Sequence, residues 1–362
     1  MTATPRPVAA ATLIAAGAVL ALVLAGCAEE PDDRLAEPAH PTDRPGHDIP
    51  VTLARADWDT GHLQAAIYEQ LLAELGYDVT DPAEHTMPPG TFYPMLARGE
   101  LDLWANGWFP LHEPFLEREL VTGQRIAEPI EPVGAQVPDG AVQGYLVDKA
   151  TAEELDITSM EDFTRPEVVD AFDHDGDGRA DLYGCDEGWG CHREIVEHLD
   201  TFAWGGSVEL VSGDYAELFA EVRERVEAGE PALYYTWTPN WTTAVLEPGT
   251  DVVWLEAPAL PDETAPTAVE GLVGCAGDDP CDLGWAVNDI RAVANRDFLD
   301  ANPPVRRLLE VVEIPLDDIA AHNADVVADD DATDADVTAA AEAWIEANRG
   351  TVDAWLATAR GE

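Results

Sequence analysis

The chain has 362 residues, of which 19 are basic and 72 acidic, giving a formal net charge of −53, and Lys149 is its only lysine. No basic patch can be assembled from that balance, so nucleic acid and anionic lipid headgroups are excluded as partners held by charge. Self-repulsion at this density is relieved only by salt, over a Debye length of about 3 Å near 1 M, which fits a salt-rich medium; 46% hydrophobic residues nonetheless mark the chain as globular.

In chain order, Arg6 precedes an apolar run from Val8 to Leu24, which ends in Leu24-Ala25-Gly26-Cys27. This is the pattern of an export signal closing on a lipobox, and it predicts cleavage before Cys27, lipidation of that residue and an outward-facing, membrane-anchored location. An uncleaved span is the alternative, since the run falls just short of the roughly 20 residues a spanning helix needs. Residues 28–47 mix proline with charge and read as a tether, with folded structure expected from Asp48. Acyl chains on Cys27 would hold a soluble body at the membrane surface. The remaining cysteines form two close pairs, Cys185 with Cys191 and Cys275 with Cys281, expected as local disulfides in an exported protein. A zinc site built from all four thiolates competes, although neither pair has knuckle spacing.

Residues 49–55 read as a strand and 62–77 as an amphipathic helix, in which Leu63, Ile67, Leu71 and Leu75 recur and Gly76 caps the end. A strand at 77–80, a helix at 91–98 and a strand at 101–106 follow, an alternation that predicts a largely parallel sheet covered by helices. A second unit opens with the strand 141–148. It continues with helices near 151–155, 166–172, 191–201 and 214–228, then strands at 232–237 and 251–257. Helices at 304–312, 316–327, 334–347 and 351–360 complete the chain. The expected architecture is two α/β lobes, one from 48–140 with 258–362 and one from 141–257, with ligand bound between them.

Eleven tryptophans occur, and three of them, Trp108, Trp189 and Trp237, sit in the short polar segments NGWFPLH, CDEGWGC and YYTWTPNW. Indole faces brought together from distant segments make a box that attracts a cation lacking N–H donors, each contact contributing about 0.5 to 2 kcal/mol. His112 lies four residues beyond Trp108 and offers a ring N–H. A ring closed between Cys185 and Cys191 would hold Trp189 and turn the N–H groups of Gly190 and Cys191 outward at a helix start, an arrangement that binds carboxylates. Trp204, Trp254, Trp285, Trp344 and Trp355 are expected in the core or on helix faces and carry no role, while Trp58, Trp104 and Trp241 are ambiguous between core and site.

The strings NGWFPLH, AVQGYLVDK, DGDGRADLYGCDEGWGC, PALYYTWTPNW and DVVWLEAP, in that order, resemble the glycine betaine/proline betaine-binding proteins of ABC importers, over about Ile49 to Leu356. The resemblance implies a two-lobed α/β fold of the periplasmic-binding-protein kind (type II) with a ligand cleft. It also implies a betaine as ligand, delivery to a membrane permease for osmoprotectant uptake, and no cofactor. A tryptophan box matching Trp108, Trp189 and Trp237 would take the trimethylammonium group. His112 and the backbone N–H groups of Gly190 and Cys191 would take the carboxylate. The second cysteine pair, the scarcity of lysine and Trp104, read as a fourth wall or a support behind Trp108, depart from the proteobacterial form. Choline, carnitine and ectoine compete as ligands. No G-x-S-x-G elbow, H-E-x-x-H helix or triad supports an enzyme, and an adhesive surface lipoprotein is the remaining class. Asp173, Asp175, Asp177 and Asp181 follow calcium-loop spacing, but Gly184 stands where the bidentate glutamate belongs, so a solvated acidic turn is expected instead of a metal site.

Overall fold

The computed structural model describes residues 43–328 and 333–362; the expected signal, Cys27 and most of the tether lie outside the described residues. The last tether residues lie on the body, where Gly46 N–H donates to the Leu75 carbonyl (3.0 Å) and Arg360 Nε to the Asp43 carbonyl (3.0 Å).

Strands β1 (Pro50–Val51) and β2 (Leu53–Ala54) form one extended run broken at Thr52, whose N–H donates to Asp102 Oδ2 at 2.8 Å. Helix α1 (His62–Glu74) follows a short loop, and Gly76 closes it with φ 96°, a left-handed turn that suits glycine. The chain continues through β3 (Asp78–Val79), α2 (Pro89–Ala97), β4 (Leu103–Phe109), α3 (Glu113–Leu116) and the 19-residue β5 (Ile130–Asp148). Next come α4 (Lys149–Leu155), α5 (Pro166–Phe172), β6 (Ala180–Tyr183), α6 (Gly190–Thr201), β7 (Val208–Val211), α7 (Tyr215–Ala228), β8 (Leu233–Thr238), α8 (Thr242–Val245) and β9 (Val252–Trp254). Then β10 (Ala268–Val269), β11 (Cys281–Asp282) and β12 (Asn288–Asn295) precede α9 (Arg296–Ala301), α10 (Pro303–Leu309), α11 (Leu316–Ala328), α12 (Asp334–Ala347) and α13 (Arg349–Arg360).

The main sheet runs β2-β4-β12-β5-β8-β6-β7, with β9 also on β5. It is mixed, not largely parallel: β2/β4, β8/β6 and β6/β7 are parallel, whereas β4/β12, β12/β5, β5/β8 and β5/β9 are antiparallel. Local alternation of strand and helix cannot reveal β12, which returns from far along the chain to lie between β4 and β5. Strand β5 joins the two halves of the fold, pairing with β12 up to Ala141 and with β8 from Val142. Because β12 supplies partners for Trp108 and Phe109, β4 extends past residue 106, and Trp108 lies within the strand instead of after it.

Trp204, Trp254, Trp285 and Trp355 are buried, and the half-buried Trp344 stacks on Trp355 with ring centroids 6.1 Å apart. The C-terminal helices fasten back onto the first: both guanidinium nitrogens of Arg349 reach the Glu74 carboxylate, at 2.7 and 2.6 Å. Both cysteine pairs are disulfides, with Cα–Cα distances of 6.6 Å (Cys185–Cys191) and 6.0 Å (Cys275–Cys281), which removes the four-thiolate zinc alternative. In the acidic turn, Asp173 accepts the N–H groups of Gly176, Asp177 and Gly178, and Arg179 pairs with Asp177 and Glu209. Among the described residues no helix is long and apolar enough to cross a membrane.

With 72 acidic side chains on a 362-residue chain, raising salt from about 0.1 M to about 1 M shortens the Debye length from about 10 to about 3 Å and relieves repulsion across the fold. The midpoint of thermal unfolding, followed by circular dichroism, is expected to rise by several degrees over that range. A flat or falling midpoint would show that surface repulsion does not limit stability.

Candidate ligand-binding site

Three separate elements deliver the three tryptophans. Trp108 is the penultimate residue of β4, opposite Ile290 of β12, and Trp237 is the penultimate residue of β8, opposite Gln143 of β5. Trp189 is the cap residue before α6, inside the ring closed by Cys185–Cys191. They converge on one small cavity, which His112, Gly190 and Cys191 also line. All six residues singled out from sequence therefore meet in one place.

The structure adds Trp58, Leu111, Gln143 and Tyr235 to the lining. Trp58, not Trp104, is the fourth indole, 5.3 Å from Trp189 between ring centroids, while Trp189 stands 5.7 Å from Trp237 at 80°. The sequence carried a signal for Trp58, since it too lies in a short acidic loop between strand and helix. Tyr235 was also legible, as the residue two before Trp237 on the same face of a strand. Gln143 was not, because its place depends on the β5/β8 register. Trp104 is fully buried and stands behind His112 and Trp58: its ring stacks on the imidazole (5.8 Å, 9°) and tilts against Trp58 (5.7 Å).

A buried indole N–H needs an acceptor, and all four find one in the protein. Trp58 and Trp108 both donate to Asn106 Oδ1, at 3.1 and 2.8 Å. Trp189 donates to Asp57 Oδ1 (2.9 Å) and Trp237 to Thr60 Oγ1 (3.3 Å). With their N–H groups tied to these acceptors, the indoles offer the cavity no donor. Its lining also holds His112, Gly190 and Cys191. His112 Nδ1 accepts the Trp108 backbone N–H (3.2 Å) and lies 3.0 Å from the Tyr93 hydroxyl. A backbone N–H can only donate, so Nδ1 carries the lone pair and the proton sits on Nε2.

Burial first, and then the nearby Arg193 charge, push His112 down to about 3, so the ring is a neutral donor near pH 7. Gly190 and Cys191 open α6, where backbone N–H groups have no intrahelical acceptor and the helix dipole is positive. Helix and imidazole meet closely: a Cβ on Gly190 would lie 2.8 Å from Leu111 Cγ and 3.4 Å from His112 Cδ2, so only glycine fits without displacement. One small cavity thus combines electron-rich faces with a cluster of neutral donors.

Two larger spaces flank it. A cleft of about 1,530 Å³ shares Leu111 and Gln143 with the box, and Glu194 beside it is raised to about 7 by burial. On another side, a space of about 640 Å³ is lined by Trp58, Trp189 and Trp237 together with Asp57, Asp59, Asp186 and Asp214. Burial pushes Asp57 up to about 6, with Asp186 and Asp214 adding to the rise, while its hydrogen bonds to the backbone and to Trp189 oppose it.

Two α/β halves joined by a shared strand, with a small preformed cavity between elements of each, define a two-lobed solute receptor. The chain belongs to the family of substrate-binding domains of ABC-type glycine betaine transport systems, whose model matches residues 49–347; such domains are transport receptors, not enzymes. It is 33% identical to the glycine betaine/proline betaine-binding periplasmic protein of Escherichia coli K12 over 317 residues, 87% of this chain and 91% of that protein. Identity to the glycine betaine-binding periplasmic protein OusX of Dickeya dadantii is 34% over 320 residues, 88% and 92% of the two chains. Among solved structures, lactococcal OpuAC in its closed conformation with glycine betaine superposes with a TM-score of 0.62 at 18% identity, covering 85% of this chain and all of that one. A choline-binding protein of an ABC transporter in complex with choline gives 0.62 at 18% identity, covering 85% and 91%. At such identities these likenesses show the fold.

His112 has a lowered pKa in the folded protein, so between about 6.5 and about 3 the unfolded chain binds the extra proton and stability falls as pH falls. His112→Gln removes that titration. The stability gap between wild type and His112→Gln, measured by urea unfolding, is expected to narrow from pH 7 to pH 4.5. A gap independent of pH would mean that His112 is not held neutral.

Proposed function

We propose that this protein captures glycine betaine or a closely related betaine in the tryptophan box, as the extracytoplasmic receptor of an ABC importer for osmoprotectant uptake. The observation that carries this reading is the meeting of four indoles, their N–H groups engaged elsewhere, with His112, Gly190 and Cys191 in the lining of one cavity; His112 Nε2 and the two backbone N–H groups are its donors in this reading. A trimethylammonium group has no N–H to satisfy and gains from π faces, about 0.5 to 2 kcal/mol for each. A carboxylate gains from the donors and from the helix start. The betaine-binding relatives add weight to the choice of ligand. In this reading Trp108, Trp189 and Trp237, with Trp58, hold the cation, and the lobes divide into 48–140 with 258–362 and 141–257. The permease is the membrane partner, and lipidated Cys27 tethers the receptor to the outer face of the membrane. Receptors of this fold close on ligand, and the closed form is what a transporter recognises.

Calorimetric titration of the purified protein in high salt is expected to show saturable binding of glycine betaine. Replacing Trp108, Trp189 or Trp237 by Ala should weaken it between about threefold and thirtyfold each, the range set by one cation–π contact. His112→Ala should weaken glycine betaine by about tenfold, the worth of a hydrogen bond to a charged group, and leave choline, which lacks a carboxylate, nearly unchanged. Equal losses for both ligands would remove the donor role from His112, and no binding of any quaternary ammonium would sink the reading.

A further inference from the structure

We infer that Asp57 and Thr60 are the catch that couples assembly of the tryptophan box to closure of the lobes, by accepting the indole N–H groups of Trp189 and Trp237 across the cleft. The two halves of the box are built differently. Trp58 and Trp108 share the acceptor Asn106 Oδ1, and all three residues belong to β4 or to the loop just before α1, on the β2-β4 side of the sheet. That pair needs nothing from the other half. Trp189 and Trp237 stand at the start of α6 and the end of β8, on the far side of β5, and neither donates to an acceptor in its own half. Their acceptors lie 132 and 177 positions away in sequence, in the loop between β2 and α1. If the halves separate, both bonds break together and two walls leave the other two.

The surroundings of the catch oppose it when the box is empty. Asp186, just before the cap of α6, and Asp214, which caps α7, line the same space as Asp57 and Asp59, with no basic side chain in its lining. Shutting the cleft carries the Asp57 carboxylate out of water and towards two others, which costs free energy. The edge of Trp189 that Asp57 accepts belongs to a ring that also lines the box, so a cation held there lies one indole away from these carboxylates and offsets their repulsion. Solutes of the same size without a cationic group gain nothing from this term. The catch is thus a positioning device that favours closure on a cation, and its link to a named ligand rests on the betaine reading.

Stopped-flow tryptophan fluorescence with glycine betaine tests it. The catch exists only in the closed form, so Asp57→Ala and Thr60→Val should each speed dissociation, by about tenfold or more for the charged acceptor and about threefold for the hydroxyl. Association should stay within about twofold. Asp57→Asn, which keeps an acceptor oxygen, should release ligand much more slowly than Asp57→Leu, which fills the space without an acceptor; equal rates in the two would mean that packing, not the hydrogen bond, is at work. Small-angle scattering at saturating ligand should find wild type compact and the Asp57→Ala/Thr60→Val double variant partly open. Wild-type dissociation rates and full compaction in the double variant would overturn the proposal, as would an effect confined to association. If wild type ignores glycine betaine, the betaine reading fails by itself. The catch is then judged with choline or tetramethylammonium in the same two measurements, where wild-type dissociation and full compaction in the double variant overturn it, as does a wild type that binds no quaternary ammonium.

Discussion

The indole N–H is the constraint on which this site turns. Four tryptophans can line one small cavity without unsatisfied donors only if their four N–H groups find acceptors. The chain meets that demand with three residues, Asn106, Asp57 and Thr60. Much of the architecture follows from placing them. Asn106 sits on β4 two residues before Trp108, on the same face of the strand, so one carbonyl reaches Trp108 and, across the cleft-side loop, Trp58. The loop between β2 and α1 is short and acidic because it has to supply Asp57 and Thr60 as well as Trp58 itself. Strand β12 matters for the same reason: without its ladder to β4, the end of that strand would have no fixed direction.

Burial acts on the site's two titratable groups in opposite senses. Desolvation penalises the charged form, so it keeps the His112 imidazole neutral and makes the Asp57 carboxylate reluctant to ionise. The neutral imidazole keeps a proton on Nε2 and adds no positive charge to the cavity, as the proposed capture of a cation requires. The carboxylate lies behind an indole, where a partly ionised acid strengthens the field on the ring without offering the cavity a competing hydrogen-bond partner. In a chain carrying a net charge of −53, the unusual feature is that the cavity itself is lined by no ionisable carboxylate, although acids crowd the spaces on either side of it.

Helices were the most legible part of the fold, since α5 and α12 start and stop where periodicity and capping signals place them. Strands were less so. β6 and β7 are four residues each, too short for a period to declare itself, and β12 has buried positions on both faces, which removes the alternation. The mixed sheet followed from that omission. At the site, the residues that announce themselves are those whose type clashes with their local context: Trp108, Trp189 and Trp237 among glycines, prolines and polar groups. Trp104 looked similar in sequence but is fully buried, packed against Phe92 at 4.1 Å, and a register shift in the β4/β12 ladder between Trp104 and Gly107 sets it apart from Trp108. Gln143 and the acceptors Asn106 and Asp57 were silent, because an amide or acid in a loop or strand has many uses until the tertiary register chooses one.

The same register gives the site its division of labour. Strand β5 contributes Gln143 immediately after the point where its partner changes from β12 to β8, and Tyr235 donates to the Gln143 side-chain oxygen at 2.6 Å. This places a fixed polar group at the junction of the two halves, in contact with both the box and the wide cleft. Strand β5 passes from one half to the other at this point. Under the proposed closure, Trp58 with Trp108 forms one jaw, sharing the acceptor Asn106, and Trp189 with Trp237 the other. An aromatic box divided in this way binds strongly only when both jaws meet, because cation–π attraction falls off sharply once a ring moves beyond about 6 Å. In the proposed reading, selectivity for a small methylated cation and coupling to closure come from one geometric fact, the distribution of four indoles between the two halves of the fold.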